Sequence, residues 1–422
     1  MNQYESEYMK ELMENSGYGY RENDSECDIF IVNSCTVTAI SEAKCRRFLG
    51  RLRREHPDSV IILSGCMSQA FPRKYENFIS CDIVVGNTER GIIPDLLREF
   101  SETRKQILKV DEHDRKNGVF ENCTIKGFSE RSRAYIKIED GCDRFCSYCI
   151  IPYARGRVRS KPLNTLKEEV SALALKGYKE IVLVGINLSK YGTDIGLNIC
   201  DAIDAVAEAE GIERIRLGSL EPELLTEDIL SRMSKCKKFC PQFHLSLQSG
   251  SDGTLKRMNR HYTSSEYMDI VNNIRSKFEN PGFTTDVMVG FPGEDEKEFS
   301  ESLKFVESVG FAKVHVFPYS RRSGTVADRM PLQLTKSVKE ERARLMSDMS
   351  QRKREEFLRS QVGITTTIVI EQEIENGVFE GYTPNYTPVR ISLHSCELKG
   401  DCVPVRITEA FDDYCTGEVI SS

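Results

Sequence analysis

Three cysteines stand close together in GCDRFCSYC, at Cys142, Cys146 and Cys149. A structural zinc site is closed by four protein ligands, so this C-x3-C-x2-C run leaves a metal site one ligand short. Three thiolates suit a four-iron, four-sulfur cluster that keeps one iron open to a small molecule. Zinc binding and incidental cysteines are the competing readings of the spacing alone. Four basic residues follow, Arg155, Arg157, Arg159 and Lys161, where they could hold phosphates beside such a centre. The competing role for Arg157 and Arg159 is pairing with acids inside the fold. Two more cysteines, Cys35 and Cys66, each follow a short apolar run, DIFIVNS (28–34) and VIILSG (60–65). In open α/β sheets the crevice beyond the carboxyl ends of strands is where ligands bind. Simple burial is the alternative for both thiols.

The elements that must position these groups can be read along the chain. A third apolar run, DIVVGN (82–87), follows the first two, with helical stretches between them and a helix predicted over 3–16. That alternation predicts a parallel sheet with helices on its faces. Residues 111–131 read as a polar linker. Six strand candidates then alternate with helices, at 134–140, 180–187, 214–220, 242–250, 283–291 and 311–319. Repeated βα units predict a partial barrel whose active face lies at the strand C-termini. Cys142, Asn187, Ser219, Glu221, Gln248, Asp286 and Tyr319 fall at those ends, although capping or packing is the ordinary role of any single one. A long charged helix is expected over 335–361, and the alternating, turn-punctuated remainder predicts a small β-barrel. The predicted domains are thus 1–115, 128–358 and 361–422.

Composition narrows the setting. Of 422 residues, 39% are hydrophobic and 29% charged, as in soluble globular proteins. No apolar run reaches the length of a membrane span and the first residues are polar, so a cytoplasmic protein is expected. In that compartment 15 cysteines point to metal binding or catalysis before disulfides. The net charge of −7 sits in the tail: from Gly363 onward there are ten acidic and three basic residues, leaving the rest neutral. Within that neutral part, KCRRFLGRLRR (44–54) holds six basic residues and no acid, either a phosphate footprint or a solvated helix face.

The CxxxCxxC spacing, with Tyr148 before its last cysteine, resembles the radical S-adenosylmethionine (SAM) superfamily. VNSCTVT (32–38), SGCMSQ (64–69), HLSLQSGSDGTLKRMNRHYT (244–263), VMVGFPGE (287–294) and HVFPYSRRSGTVA (315–327) resemble motifs of its methylthiotransferases. NQYESE (2–7), IPYARGRVRSK (151–161) and HVFPYS (315–320) are most similar to the threonylcarbamoyladenosine tRNA subgroup. The resemblance implies an N-terminal methylthiotransferase domain, a radical SAM (βα)6 barrel and a C-terminal TRAM β-barrel. It implies a [4Fe-4S] cluster on Cys142, Cys146 and Cys149 that cleaves SAM to a 5′-deoxyadenosyl radical. It implies a second [4Fe-4S] cluster, with Cys35 and Cys66 among its ligands, that carries the sulfur. Tyr148, Asn187, Ser219, Glu221, Gln248 and Asp286 are the expected SAM contacts, and Arg155, Arg157, Arg159 and Lys161 the expected RNA contacts.

The implied reaction places a methylthio group on carbon 2 of N6-threonylcarbamoyladenosine next to the tRNA anticodon. The implied partners are tRNA and an electron donor such as a flavodoxin or ferredoxin; a monomer is expected, with no membrane association. Methylthiolation of a ribosomal-protein aspartate and a non-enzymatic metal-cluster RNA-binding module are the alternatives. Two departures stand out. The TRAM-like segment is acidic, which opposes phosphate binding. The chain opens at the NQYESE helix, so the strand and cysteine that open the family pattern are lacking; a start assigned too late or a real loss would account for this.

Overall fold

A computed structural model of the chain describes residues 1–22, 27–35, 38–113, 118–121, 123–127, 132–393 and 399–420. The chain divides into two compact units. The first comprises residues 1–125, 140–160 and 320–329, the second residues 126–139, 161–319 and 330–422. These units cut the chain elsewhere than at the predicted domain limits. The cysteine loop groups with the N-terminal sheet, and the C-terminal β-barrel groups with the six-stranded barrel.

In the first unit, four parallel strands lie in chain order: β1 (Ile29–Ser34), β2 (Val60–Gly65), β3 (Ile83–Val85) and β4 (Ile107–Lys109). Their apolar runs are continuous because both faces are covered. Ile62, Ile83 and Val85 pack with helices α1 (Asn2–Asn15) and α4 (Ile93–Thr103), through Met9, Met13, Leu96 and Phe100. On the other face Ile61, Leu63 and Val84 pack with Leu49 and Leu52 of α2 (Ala39–Glu55). The short helix α3 (Cys66–Ala70) begins directly after β2. β1 pairs with β2 along its whole length, from Ile29↔Val60 to Ser34↔Gly65. β1 is an edge strand of the described sheet.

The stretch read as a linker is in part packed. Phe120, Cys123 and Ile125 are buried, and the Tyr4 hydroxyl donates to the Cys123 carbonyl at 2.7 Å. Residues 114–117, 122 and 128–131 of that stretch lie outside the described residues.

The second unit holds the six parallel barrel strands: Ala134–Lys137, Glu180–Val184, Arg214–Leu217 continuing as Ser219–Leu220, Gln242–Leu245, Gly282–Val289 and Lys313–Pro318. Helices between them cover the outside, several with side-chain N-caps, as where Thr263 and Glu266 cap Ser264–Lys277 reciprocally. After the long helix Lys336–Gln361, five strands close the small C-terminal barrel around Ile368, Ile370, Val389, Val405 and Ile407. This barrel sits on the N-terminal ends of the six strands. Arg214 donates to the Tyr382 carbonyl at 3.0 Å, Arg216 to the Pro384 carbonyl at 2.9 Å, and Arg133 to the Tyr386 hydroxyl at 3.0 Å. No helix among the described residues is long and apolar enough to cross a membrane.

Candidate functional site

The cysteine loop is irregular backbone held at named points. Gly141 has φ +95°, and a Cβ there would stand 2.0 Å from the Arg157 carbonyl oxygen, so only glycine fits. The Cys142 N–H donates to the Gly156 carbonyl at 2.9 Å, and the Cys149 N–H to the Cys146 carbonyl at 2.9 Å. Phe145, just before Cys146, takes a left-handed backbone conformation with φ +50°. The Ala327 N–H donates to the Ser147 carbonyl at 2.7 Å, which ties the loop to the segment 320–329. Cys146 is buried, while Cys142, Cys149 and Tyr148 are half-buried.

These residues fit a four-iron cluster by donor chemistry. All three donors are thiols on one fixed loop, the standard ligand type. Among the described residues no three His, Cys, Asp or Glu converge as they would on one metal ion. A cluster binds each thiolate through a different iron, so its ligands stand farther apart than those of a single ion.

Cys35 and Cys66 leave the same end of the N-terminal sheet, since each directly follows a member of the register pair Ser34↔Gly65. Gly65 has φ +102°, and a Cβ there would meet the Ser34 carbonyl at 2.4 Å, so glycine permits the close approach. Cys45 and Cys81 instead pack into the apolar cluster beneath α2. Cys35 and Cys66 are thus two thiols brought to one end of this sheet.

Beside Cys66 lies a buried charge network. The Arg155 guanidinium donates to Cys66 Sγ at 3.1 Å, to Glu5 Oε1 at 2.7 Å and Oε2 at 3.1 Å, and to Asp140 Oδ1 at 3.0 Å. Arg90 reaches Glu5 at 3.2 Å and Glu121 at 2.9 Å. Burial pushes the Cys66 thiol up, against the pull of Arg155.

This corrects the expected line of RNA contacts. Arg155 is 1% exposed and spent on Glu5, Asp140 and Cys66. Arg159 is buried, donating to the Arg155 carbonyl at 2.7 Å and lying 3.7 Å from Asp140. Lys161 is buried on Glu169. Only Arg157 is exposed. Neighbouring basic letters look alike in sequence, but Arg155 meets a carboxylate 150 residues away.

In the second unit the expected SAM contacts separate. The Asn187 N–H donates to Glu139 Oε2 at 2.6 Å, and its side chain is buried. Glu221 is engaged by Arg260. Gln248, at φ +68°, bridges to the Asp286 carbonyl through its N–H at 2.8 Å. Ser219 and Asp286 remain beside open space or half-exposed. Ser219, His244 and Thr284 are successive register partners, and Asp286 faces His315 in the same way. Ser219 Oγ lies 2.9 Å from Ser246 Oγ, and His244 Nε2 lies 3.5 Å from Asp286. Ser219, His244 and His315 line a cavity of about 700 Å³ that the C-terminal barrel also walls, through Glu380, Tyr382 and Tyr386. Burial lowers the His315 pKa, which favours its uncharged ring. The sequence had signalled neither histidine; their inward alternation on strands was the available clue.

Known proteins match along the same segments. Residues 136–306 match the radical SAM superfamily, and residues 1–86 match an uncharacterized protein family, UPF0004. The radical SAM methyltransferase TsrM from Kitasatospora setae, a solved structure, superposes with a TM-score of 0.58 at 13% identity, over 76% of this chain and 73% of that one. That likeness concerns the fold. Fold and cysteine loop together thus describe a radical SAM protein. The chain is 39% identical over 388 residues to the threonylcarbamoyladenosine tRNA methylthiotransferase of Thermotoga maritima, covering 92% of this chain and 88% of that protein. The Bacillus subtilis enzyme of that name is 34% identical, over all of this chain and 94% of its own length. The tRNA-2-methylthio-N(6)-dimethylallyladenosine synthase of Natranaerobius thermophilus is also 34% identical, over 99% and 94%. The chain belongs to the radical SAM methylthiotransferase family.

Proposed function

We propose that this protein is a tRNA methylthiotransferase acting on carbon 2 of N6-threonylcarbamoyladenosine. The observation that carries this reading is the 39% identity, nearly end to end, with the Thermotoga maritima enzyme. Cys142, Cys146 and Cys149 would hold a [4Fe-4S] cluster, which would supply one-electron chemistry toward SAM at this loop. Around it, Gly141 and Phe145 shape the loop, and the Ser147 carbonyl anchors it. Ser219 and Asp286 offer polar contacts within the barrel. Arg157 is the phosphate contact left by the burial of its neighbours. An electron donor such as a flavodoxin or ferredoxin, action as a monomer and a cytoplasmic site complete the reading.

Nucleoside analysis of tRNA from a strain lacking the gene tests it. Loss of 2-methylthio-threonylcarbamoyladenosine, with other methylthio nucleosides retained, is expected. Loss of the dimethylallyl nucleoside instead, or an unchanged profile, overturns the assignment. Cys35 and Cys66 are the two thiols offered to a second cluster. Full transfer goes with about eight irons per chain. About four irons, with SAM cleaved and no sulfur inserted, would restrict the chain to the radical step.

A further inference from the structure

A basic groove in the first unit joins part of the 44–54 run to cations from two other segments. Helix α2, the turn after α3 and the loop 320–329 bring together Arg46, Arg47, Lys74, Arg321 and Arg322, in an open groove of about 820 Å³. Its carboxylates are Glu42 and Asp328. Glu42 is buried and takes three of the cations at once: Arg46, Arg322 and, at 3.7 Å, Lys74. Arg321 pairs with Asp328 at 3.0 Å. Five cations against two carboxylates leave an excess of three positive charges in one concavity. Arg46, Lys74 and Arg321 keep 41, 44 and 60% of their side chains exposed, and Arg47 is exposed as well.

A solvated helix face needs only its own helix. Here cations converge from three segments, one partner of Glu42 lying 280 residues further along the chain. Glu42 and Asp328 offset part of this charge, and a further anion in the groove would offset the excess that remains. The groove also adjoins the cysteine loop. Thr325 closes a turn on the Arg322 carbonyl, and the Ala327 N–H is bonded to Ser147, between Cys146 and Cys149. α2 itself starts close behind Cys35.

We infer that this groove holds the phosphodiester backbone of the tRNA substrate, between α2 and the 320–329 loop, and leads it to the cysteine loop. The inference rests on tRNA being the substrate and adds where its phosphates lie. Arg47→Gln with Arg321→Gln removes two cations whose heads are exposed, so folding is retained. Arg344→Gln with Arg352→Gln, on exposed positions of the long helix, removes the same charge elsewhere. Binding of an unmodified tRNA transcript is measured across a salt series for each variant, with iron content as the check on the cysteine loop. The groove variant should bind about tenfold or more weakly, and its salt slope should fall by about 1.4–1.8, for two lost phosphate contacts. The helix variant should keep the slope. Equal losses in both variants overturn the groove, leaving only general attraction between charges. An unchanged slope in the groove variant also overturns it, and leaves the patch to an acidic protein surface. Failure of the unaltered protein to bind tRNA sinks the substrate reading and the groove together.

Discussion

At the scale of single residues, neighbouring side chains have opposite fates. Arg155 and Arg157 are two positions apart, yet one is buried among Glu5, Asp140 and Cys66 and the other faces solvent. Removing one partner from a buried pair leaves an uncompensated charge. Arg155→Ala should therefore cost about 3–5 kcal/mol in thermal or denaturant unfolding. Arg157→Ala should leave stability within about 0.5 kcal/mol and lower the salt slope of tRNA binding by about 0.7–0.9. The reverse pattern would return Arg155 to the RNA surface. Cys142→Ala, Cys146→Ala and Cys149→Ala should each abolish anaerobic cleavage of SAM to 5′-deoxyadenosine, because the site has no spare thiol. Wild-type cleavage by any one of them would remove the cluster from that loop. The spacing of the three thiols left zinc and incidental cysteines open, and it was the resemblance to a family that singled out a cluster. The burial of Arg155 was not legible, because its partner Glu5 lies in another helix and a run of basic letters carries no record of distant acids.

At the scale of elements, the strands were legible because parallel strands covered on both faces are uniformly apolar. The runs at 28–34 and 60–65 became Ile29–Ser34 and Val60–Gly65. The strand Ile107–Lys109 was missed, since three residues ending in a lysine give neither a run nor an alternation. The packed part of 111–131 was missed for a related reason: Phe120, Cys123 and Ile125 are scattered among polar residues and meet their partners only in three dimensions. The cysteine loop depends on a single atom that is not there, the Cβ of residue 141. Gly141→Ala puts that atom into the Arg157 carbonyl at a backbone angle that costs alanine about 1–3 kcal/mol. Iron per chain after anaerobic reconstitution should drop while the far-ultraviolet spectrum is kept; full iron loading would show that the loop tolerates the shift.

At the scale of the whole chain, the second unit is fastened by one carboxylate. Glu180 meets Arg133 at 3.4 Å, Arg214 at 3.0 Å and Arg216 at 3.0 Å, and those arginines hold the C-terminal barrel. Burial pushes the Glu180 pKa up, but Arg216, Arg214 and Arg133 outweigh it and bring it to about 2. The folded value lies below the unfolded one, so the stabilisation is complete above about pH 4.5 and is lost as the pH falls toward 2. It amounts to about 3 kcal/mol. Glu180→Gln should unfold more readily at neutral pH and show a flatter decline between pH 4.5 and 2; an acid limb as steep as in the unaltered protein would assign that decline to other groups. None of this was visible in the sequence, where Glu180 merely begins a strand. The first unit has a different kind of dependence, one in time. Glu42 acquires Arg322 only after 280 more residues have been made, which at ribosomal speeds of about 5–20 residues per second is roughly 15–60 s. During synthesis, then, the N-terminal sheet leaves the ribosome with its cysteine loop still to come and its last segment, 320–329, later still. A nascent chain halted before residue 320 lacks both the Arg322 partner of Glu42 and the Ala327 N–H that holds the Ser147 carbonyl, so the cysteine loop gains its last anchor only when the chain is three-quarters made.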